Sequence, residues 1–287
     1  MIPGSYDYHR PASLAEAVAM LADLGEDARV LAGGHSLIPM MKLRLAQPTA
    51  LVDVARLPEL KGMRVEGGEL VIGATTTQQE LAASEELAAR CPILREAALL
   101  IADPQVRSCG TVGGNVANGD PGNDLPALMQ CLDAIYVALG PGGERRLKAR
   151  DFYRGAYVTA LEPGEILTQI RIPEPPAGHG WAYEKLKRKV GDYATAAAAV
   201  VLTRDGATIT AAAVALTNLA DTPLFAQAAG DALVGTAGDE AAAARAAEAA
   251  KSLMNPAGDG RGPADYRASV GAVMVRRAIA RALTRAA

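Results

Sequence analysis

At 287 residues the chain is long enough to bury a sizeable core and is expected to hold two domains. Its 29 basic and 32 acidic residues leave a net charge of −3, so nothing marks it for nucleic acid or an anionic membrane surface. No apolar run reaches the roughly 18–20 residues of a membrane helix, and Tyr6, Asp7, Tyr8 and His9 stand where a signal peptide needs an apolar core. Cys91, Cys109 and Cys131 lack C-x-x-C spacing, which predicts a cytoplasmic chain with no iron–sulfur or zinc site of its own.

The first predicted element is a helix. Ser13 and Glu16 have capping-box spacing, Leu14, Val18, Leu21 and Leu24 follow at helical spacing, and Gly25 ends it. Residues 28–31 read as a short buried strand running into Gly33 and Gly34. Ser36 stands where it could cap a short helix over 36–45, and residues 49–54 read as a strand. A first subdomain therefore ends near residue 54. In the second, residues 70–72 are a strand, Thr77 and Glu80 repeat the capping box, and an apolar helix over 92–101 stops before Pro104.

Residues 111–124 read TVGGNVANGDPGND. So many Gly, Pro, Asn and Asp residues predict a loop, with Gly113 and Gly114 at positive φ and their N–H groups bare to a ligand. Asp124 precedes a short apolar helix with Pro126 in its first turn, the pattern of an N-cap. Residues 134–139 and 145–148 pair across a Gly-Pro-Gly-Gly turn, and 166–172 alternates like a half-buried strand. The Pro-rich stretch 173–180 is the predicted domain boundary. Beyond it, a strand over 181–190 places Trp181, Tyr183, Lys185, Lys187 and Lys189 on one face. A hairpin turns at Asp205-Gly206, an Ala-rich helix covers 239–254, and a last helix covers 265–286 with Val270, Val273, Met274 and Ile279 as its stripe.

Two strand-to-glycine stretches, roughly 80 residues apart, could hold one long anionic ligand from two sides. Neither fits G-x-G-x-x-G, and no Walker lysine follows. His35 has no paired acid in sequence, and no nucleophile–base set or metal-ligand cluster is legible.

The segments Ala32-Gly-Gly-His-Ser36, Thr111-Val-Gly-Gly-Asn115 and Asp120-Pro-Gly-Asn-Asp124 resemble the FAD-binding medium subunits of molybdenum hydroxylases. That family includes carbon monoxide dehydrogenase medium subunits and xanthine dehydrogenase FAD subunits, and the resemblance spans essentially the whole chain. It implies an α+β fold: a two-subdomain FAD-binding domain of vanillyl-alcohol oxidase (PCMH) type over 1–175, divided near 54, then a carbon monoxide dehydrogenase flavoprotein C-terminal domain over 176–287. It implies non-covalent FAD held by Leu31, Ala32, Gly33, Gly34, His35, Ser36, Leu37 and Ile38 on one side. On the other side it implies Thr111, Val112, Gly113, Gly114, Asn115, Asn118 and Asp124. Leu167 is then beside the cofactor, Lys185 is a cation near the flavin ring, and Tyr193 lies over that ring.

The implied assembly has a large molybdenum–pterin subunit and a small subunit with two [2Fe–2S] clusters, as a dimer of heterotrimers. Electrons would reach the flavin from those clusters and leave to an external acceptor. Carbon monoxide, aldehydes and N-heterocycles all remain open as the substrate. Ala117, Asn118 and Leu125 stand where the resemblance implies His-bearing variants in carbon monoxide members. A self-contained FAD reductase of the same superfamily and a flavin-free scaffold are the alternative readings.

Overall fold

A computed structural model describes residues 2–287. The chain opens with β1 (Asp7–His9), α1 (Leu14–Leu24), β2 (Ala28–Leu31), α2 (Leu37–Lys42) and β3 (Ala50–Asp53). Strand β3 lies between β1 and β2 and runs parallel to both, a pairing that requires crossover connections. Helix α1 buries Ala17, Val18 and Leu21 in one cluster with Ala50 and Val52 of β3. Ser13 accepts the Glu16 N–H as expected. The Glu16 carboxylate, however, takes the N–H of Ala12 at 2.6 Å, so the box is not closed on Ser13 itself.

A second unit begins with β4 (Met63–Glu66) and β5 (Glu69–Gly73). Six short helices follow: α3 (Gln78–Ala83), α4 (Glu85–Arg90), α5 (Pro92–Leu100), α6 (Pro104–Cys109), α7 (Val112–Ala117) and α8 (Asp124–Cys131). It closes with β6 (Ile135–Gly140), β7 (Gly143–Lys148), the small pair β8 (Tyr153–Gly155) and β9 (Val158–Thr159), and β10 (Ile166–Pro173). The main sheet has the order β4-β5-β10-β6-β7 and is antiparallel throughout. Strand β10 is its centre. Ile166, Leu167, Ile170, Arg171 and Ile172 are all buried there, so the strand is covered on both faces, not the half-buried strand expected.

Helix α7 overturns the reading of 111–124 as a continuous loop. Thr111 caps it, accepting the Gly114 N–H at 3.0 Å. Gly113 and Gly114 are absent from the positive-φ residues, and their glycine identity has a steric cause. A Cβ on Gly113 would come within 2.5–2.8 Å of Ala74, backbone included, and one on Gly114 within 2.7 Å of the Thr111 hydroxyl. Glycine here lets the helix lie directly on the chain leaving β5.

The third unit is the meander β11 (Gly180–Leu186), β12 (Ala196–Asp205), β13 (Thr208–Thr217) and β14 (Leu224–Phe225). It carries α9 (Gln227–Asp231), α10 (Glu240–Lys251) and α11 (Ala264–Leu283). Asp205 pairs with Thr208, so the two turn residues are Gly206 and Ala207, one place later than predicted. Strand β11 ends at Leu186, which leaves Lys187 and Lys189 beyond it. Helix α11 buries Gly271, Met274, Val275, Ala278, Ile279 and Ala282, while Val273 is 40% exposed and drops out of the predicted stripe. Much of this core is alanine: Ala196 and Ala198 on β12 share a cluster with Ala242, Ala246 and Ala250 on α10. Ala197 and Ala199, on the other face of β12, join the large core of the second unit beside α8. No helix among the described residues is long and apolar enough to cross a membrane.

Gly113→Ala is expected to cost about 1–3 kcal/mol, because the added carbon overpacks against backbone that cannot move aside. Gly142→Ala, where nothing lies within 4 Å, should be near neutral. Thermal unfolding of the two variants side by side checks the steric assignment; equal melting temperatures would refute it.

Candidate functional site

A cleft of about 810 Å³ runs between the β2–α2 loop, helices α7 and α8, strand β10 and the loop joining β11 to β12. That lies in the upper part of the range for cofactor sites. The first glycine stretch makes one wall. Gly34 has φ 72°, the left-handed conformation that glycine takes without strain. The N–H groups of Gly33, Gly34, His35, Ser36 and Leu37 donate to no backbone carbonyl among the described residues. Ser36 makes no capping hydrogen bond, contrary to expectation; its backbone is already helical, whereas a capping residue is extended. A Cβ on Gly33 would sit 2.1 Å from the carbonyl oxygen of Cys109. Backbone therefore meets backbone where this wall touches the end of α6.

The second glycine stretch behaves differently. Val112 donates to Thr76 O, Gly113 to Ala74 O, Gly114 to Thr111 Oγ1 and Asn115 to Thr111 O, at 2.8–3.0 Å. Its amide hydrogens are spent inside the chain, so it is not the bare N–H cradle predicted. It offers side chains instead. Asn115 Oδ1 and Gln78 Oε1 are buried without a hydrogen-bond partner among the described residues, and both residues line the cleft.

Asp124 is also not a cap. It is the first residue of α8, and Asn123 precedes it without a side-chain capping bond. Its carboxylate instead accepts from Lys185 Nζ at 2.7 Å and from the Tyr183 hydroxyl at 2.7 Å. The Lys185 and Asp124 side chains are only 1% and 5% exposed. Lys185 also donates to the Leu100 carbonyl at the end of α5, as does Lys187. Lys185 is thus a cation held in place as one member of a buried ion pair. Burial, then the Asp124 charge, pushes the Tyr183 phenol well above its usual value and keeps it a hydrogen-bond donor. Burial and the neighbouring Lys185 lower Lys187.

Of the residues singled out in the sequence, all but Ile38 and Val112 line the cleft. Val112 is buried in the core behind it, and the Ile38 side chain packs under Gly34. Leu167 is buried on β10, His35 is exposed, and Tyr193 is 42% exposed at the mouth. Sequence reasoning missed Thr75, Gln78, Ala102, Tyr157 and Asp192, which also line it. Gln78 is the second residue of a legible capping box, but nothing in that pattern says which way its side chain faces. Ala102 and Tyr157 take positive φ, which no local signal announces for Ala or Tyr.

Residues 4–175 match the model for the FAD binding domain in molybdopterin dehydrogenase, and 181–282 match that for the CO dehydrogenase flavoprotein C-terminal domain. The chain belongs to this molybdopterin dehydrogenase flavoprotein family. It is 63% identical over 286 residues to the carbon monoxide dehydrogenase medium chain of Afipia carboxidovorans, covering 100% of this chain and 99% of that one. It is 50% identical over 287 residues to the corresponding chain of Hydrogenophaga pseudoflava, with 100% of each covered. A chain in the crystal structure of cyanide-inactivated Cu,Mo-CO dehydrogenase superposes with a TM-score of 0.99 at 63% identity, with both chains fully covered. The departures at Ala117, Asn118 and Leu125 therefore do not set this chain apart from carbon monoxide dehydrogenase medium chains. Members of this family are oxidoreductase subunits, and their cofactor is FAD.

The cleft fits that cofactor. A row of free N–H groups suits a pyrophosphate, which can accept from them without matching lysines or arginines. Gln78 and Asn115 carry buried polar atoms still lacking partners. Leu31, Ile166 and Leu167 supply apolar wall.

Lys185→Met should cost about 3–5 kcal/mol, since it strands the Asp124 charge in a buried site. Replacing both partners, Lys185→Met with Asp124→Leu, should cost less than the sum of the single changes. Urea unfolding of the three variants measures the coupling, and strict additivity would mean the pair is not interacting.

Proposed function

We propose that this chain is the flavin-bearing, electron-relaying subunit of a carbon monoxide dehydrogenase-like molybdenum hydroxylase. The observation that carries the reading is the cleft itself, with five successive N–H groups unclaimed on one wall and buried unpartnered oxygens on the other. Residues 1–175 form its FAD-binding part and 176–287 its C-terminal part, with the boundary in the Pro-rich stretch 173–180. Its partners are a large molybdenum–pterin subunit, where substrate is oxidised, and a small subunit with two [2Fe–2S] clusters. The complex is a cytoplasmic dimer of heterotrimers that passes electrons to an external acceptor.

Within this reading each group has a defined task. The N–H groups of Gly33 to Leu37 receive the anionic centre of FAD, and Gly34 supplies the turn that aims them. Asn115, Asn118 and Gln78 orient polar edges by hydrogen bonding. Leu167 excludes water from the inner wall. The Lys185–Asp124 pair gives a rigid polar surface without net charge. Tyr193 covers the mouth. FAD, when bound, supplies a centre that takes electrons singly and releases them in pairs. The full-length likeness to carbon monoxide dehydrogenase medium chains favours this reading over a self-contained FAD reductase or a flavin-free scaffold.

Acid precipitation of the purified complex should release its flavin into the supernatant; flavin retained in the pellet would mean a covalent link. Gly34→Val puts a β-branched residue at φ 72° and 3.2 Å from Ile38. The free loop relaxes and FAD binding must restore the strained form, so Kd should rise about 5- to 150-fold for about 1–3 kcal/mol of strain. Titration of flavin-depleted complex with FAD reads this directly, and an unchanged Kd would remove Gly34 from the site. Stopped-flow absorbance tests the relay. Carbon monoxide should bleach the flavin only when the molybdenum and iron–sulfur subunits are present, and bleaching of this chain alone would defeat the assignment.

A further inference from the structure

The mouth of the cleft, which Tyr193 covers, is tied to a distant loop by charged groups that the FAD reading does not use. Tyr193 lies between the end of β11 at Leu186 and the start of β12 at Ala196, two residues after Gly191 at φ 86°. No strand pairing pins it. Its ring rests on Gly122, where an added Cβ would come within 2.8 Å of Tyr193 Cδ1. Burial and the nearby carboxylate of Asp120 raise its phenol above the ordinary value, so it stays protonated.

The guanidinium of Arg261 lies 5.6 Å from the centre of the Tyr193 ring, within the range of a cation–π contact. Arg261 comes from the distant loop between α10 and α11, and that loop is tied to the Tyr193 loop at several points. Arg261 Nη1 meets Asp259 at 2.5 Å, and its Nη2 lies 3.8 Å from Asp192. Arg188 donates to Asp192 at 2.9 Å and to the Gly260 carbonyl at 2.8 Å. Burial opposes the Asp192 charge, but the Arg188 hydrogen bond and the two guanidiniums outweigh it and hold the carboxyl below its usual range. Arg261 Nε is buried without an acceptor, so hydrogen bonding alone does not account for where this side chain sits.

We infer that Arg261 is a positioning residue that holds the Tyr193 ring at the mouth of the cleft, acting from the loop between α10 and α11 on a cover that the loop between β11 and β12 carries. The inference rests on the proposed FAD site only for its functional consequence. There, a loosened Tyr193 exposes reduced flavin to solvent and oxygen.

The test uses the assembled complex carrying Arg261→Gln or Arg261→Lys. Hydroxyl-radical footprinting with peptide mass spectrometry reads the exposure of Tyr193 against Tyr6 in the same molecule, and it needs no flavin. Arg261→Gln should raise Tyr193 oxidation about two- to fivefold, the range expected from losing one surface cation–π contact. Arg261→Lys, which keeps a cation, should stay close to the parent. Reoxidation of reduced flavin by oxygen should quicken in the Gln variant and not in the Lys variant. A parent-like footprint in Arg261→Gln, or equal exposure in both variants, overturns the inference. Should Arg261→Gln fail to fold, Asp192→Asn removes an anchor of the same guanidinium, and unchanged Tyr193 exposure there overturns it equally. A footprint difference in a complex without flavin absorbance would defeat the FAD reading while leaving the role of Arg261 supported.

Discussion

The structure turns on a salt bridge that water hardly reaches. Burying Lys185 and Asp124 removes two charges from solvent, and their attraction offsets this with the help of a further hydrogen-bond partner at each end. The Tyr183 hydroxyl and the Leu100 carbonyl supply those partners. The pair therefore joins the first residue of α8, the end of α5 and strand β11. These belong to two regions of sequence that each match a separate family model. A few ångströms of slippage between the two regions would leave a naked charge in the core. The pair makes their relative placement a sharp minimum, and the cleft touches that junction at Lys185 and at residues 191–193.

A second tie runs parallel to the first. Glu96 on α5 accepts the Tyr183 N–H at 2.7 Å and meets Arg281 of α11 and Arg285 just beyond its end at 2.8 and 2.9 Å. Arg285 also stacks over Trp181, with its guanidinium 3.6 Å from the ring centre. These groups are partly solvated, so each pair contributes less than the buried one. Their value is directional, since a guanidinium fork fixes orientation as well as distance. Arg267 plays the same part inside the C-terminal unit. It is 2% exposed and donates to the carbonyls of Thr195, Asn218 and Ala257, which draws three loops onto α11.

Much of this was legible in the residues, and the failures share a cause. The Thr77 capping box and the Gly25 stop were readable because their partners lie within four residues. The two Gly-Gly pairs marked the cleft correctly. What could not be read was why they are glycine. Gly34 serves backbone conformation, Gly33 and Gly113 serve close approach to chain that is distant in sequence, and the letters are the same. Asp124 looked like a cap because Asp before an apolar run usually is one. Its actual partners stand about 60 positions away, beyond any local pattern. The counterion of Lys185 was out of reach for the same reason.

The alanine-built interior of the C-terminal sheet has a consequence for how such a chain can change over generations. Alanine has no side-chain rotamers to lose, so this layer orders at little entropic cost. Helices and strands approach closely there, leaving no gap into which a longer side chain could turn. Ala196, Ala198, Ala242, Ala246 and Ala250 are all fully buried in one cluster. Each can shrink only to glycine, which loosens the backbone, or grow into a neighbour that is itself at minimum size. Compensating pairs, where one residue enlarges as its contact shrinks, have almost no room to arise. This layer should therefore drift far more slowly than a leucine-packed core, and variation should collect in the outer helix faces and the loops.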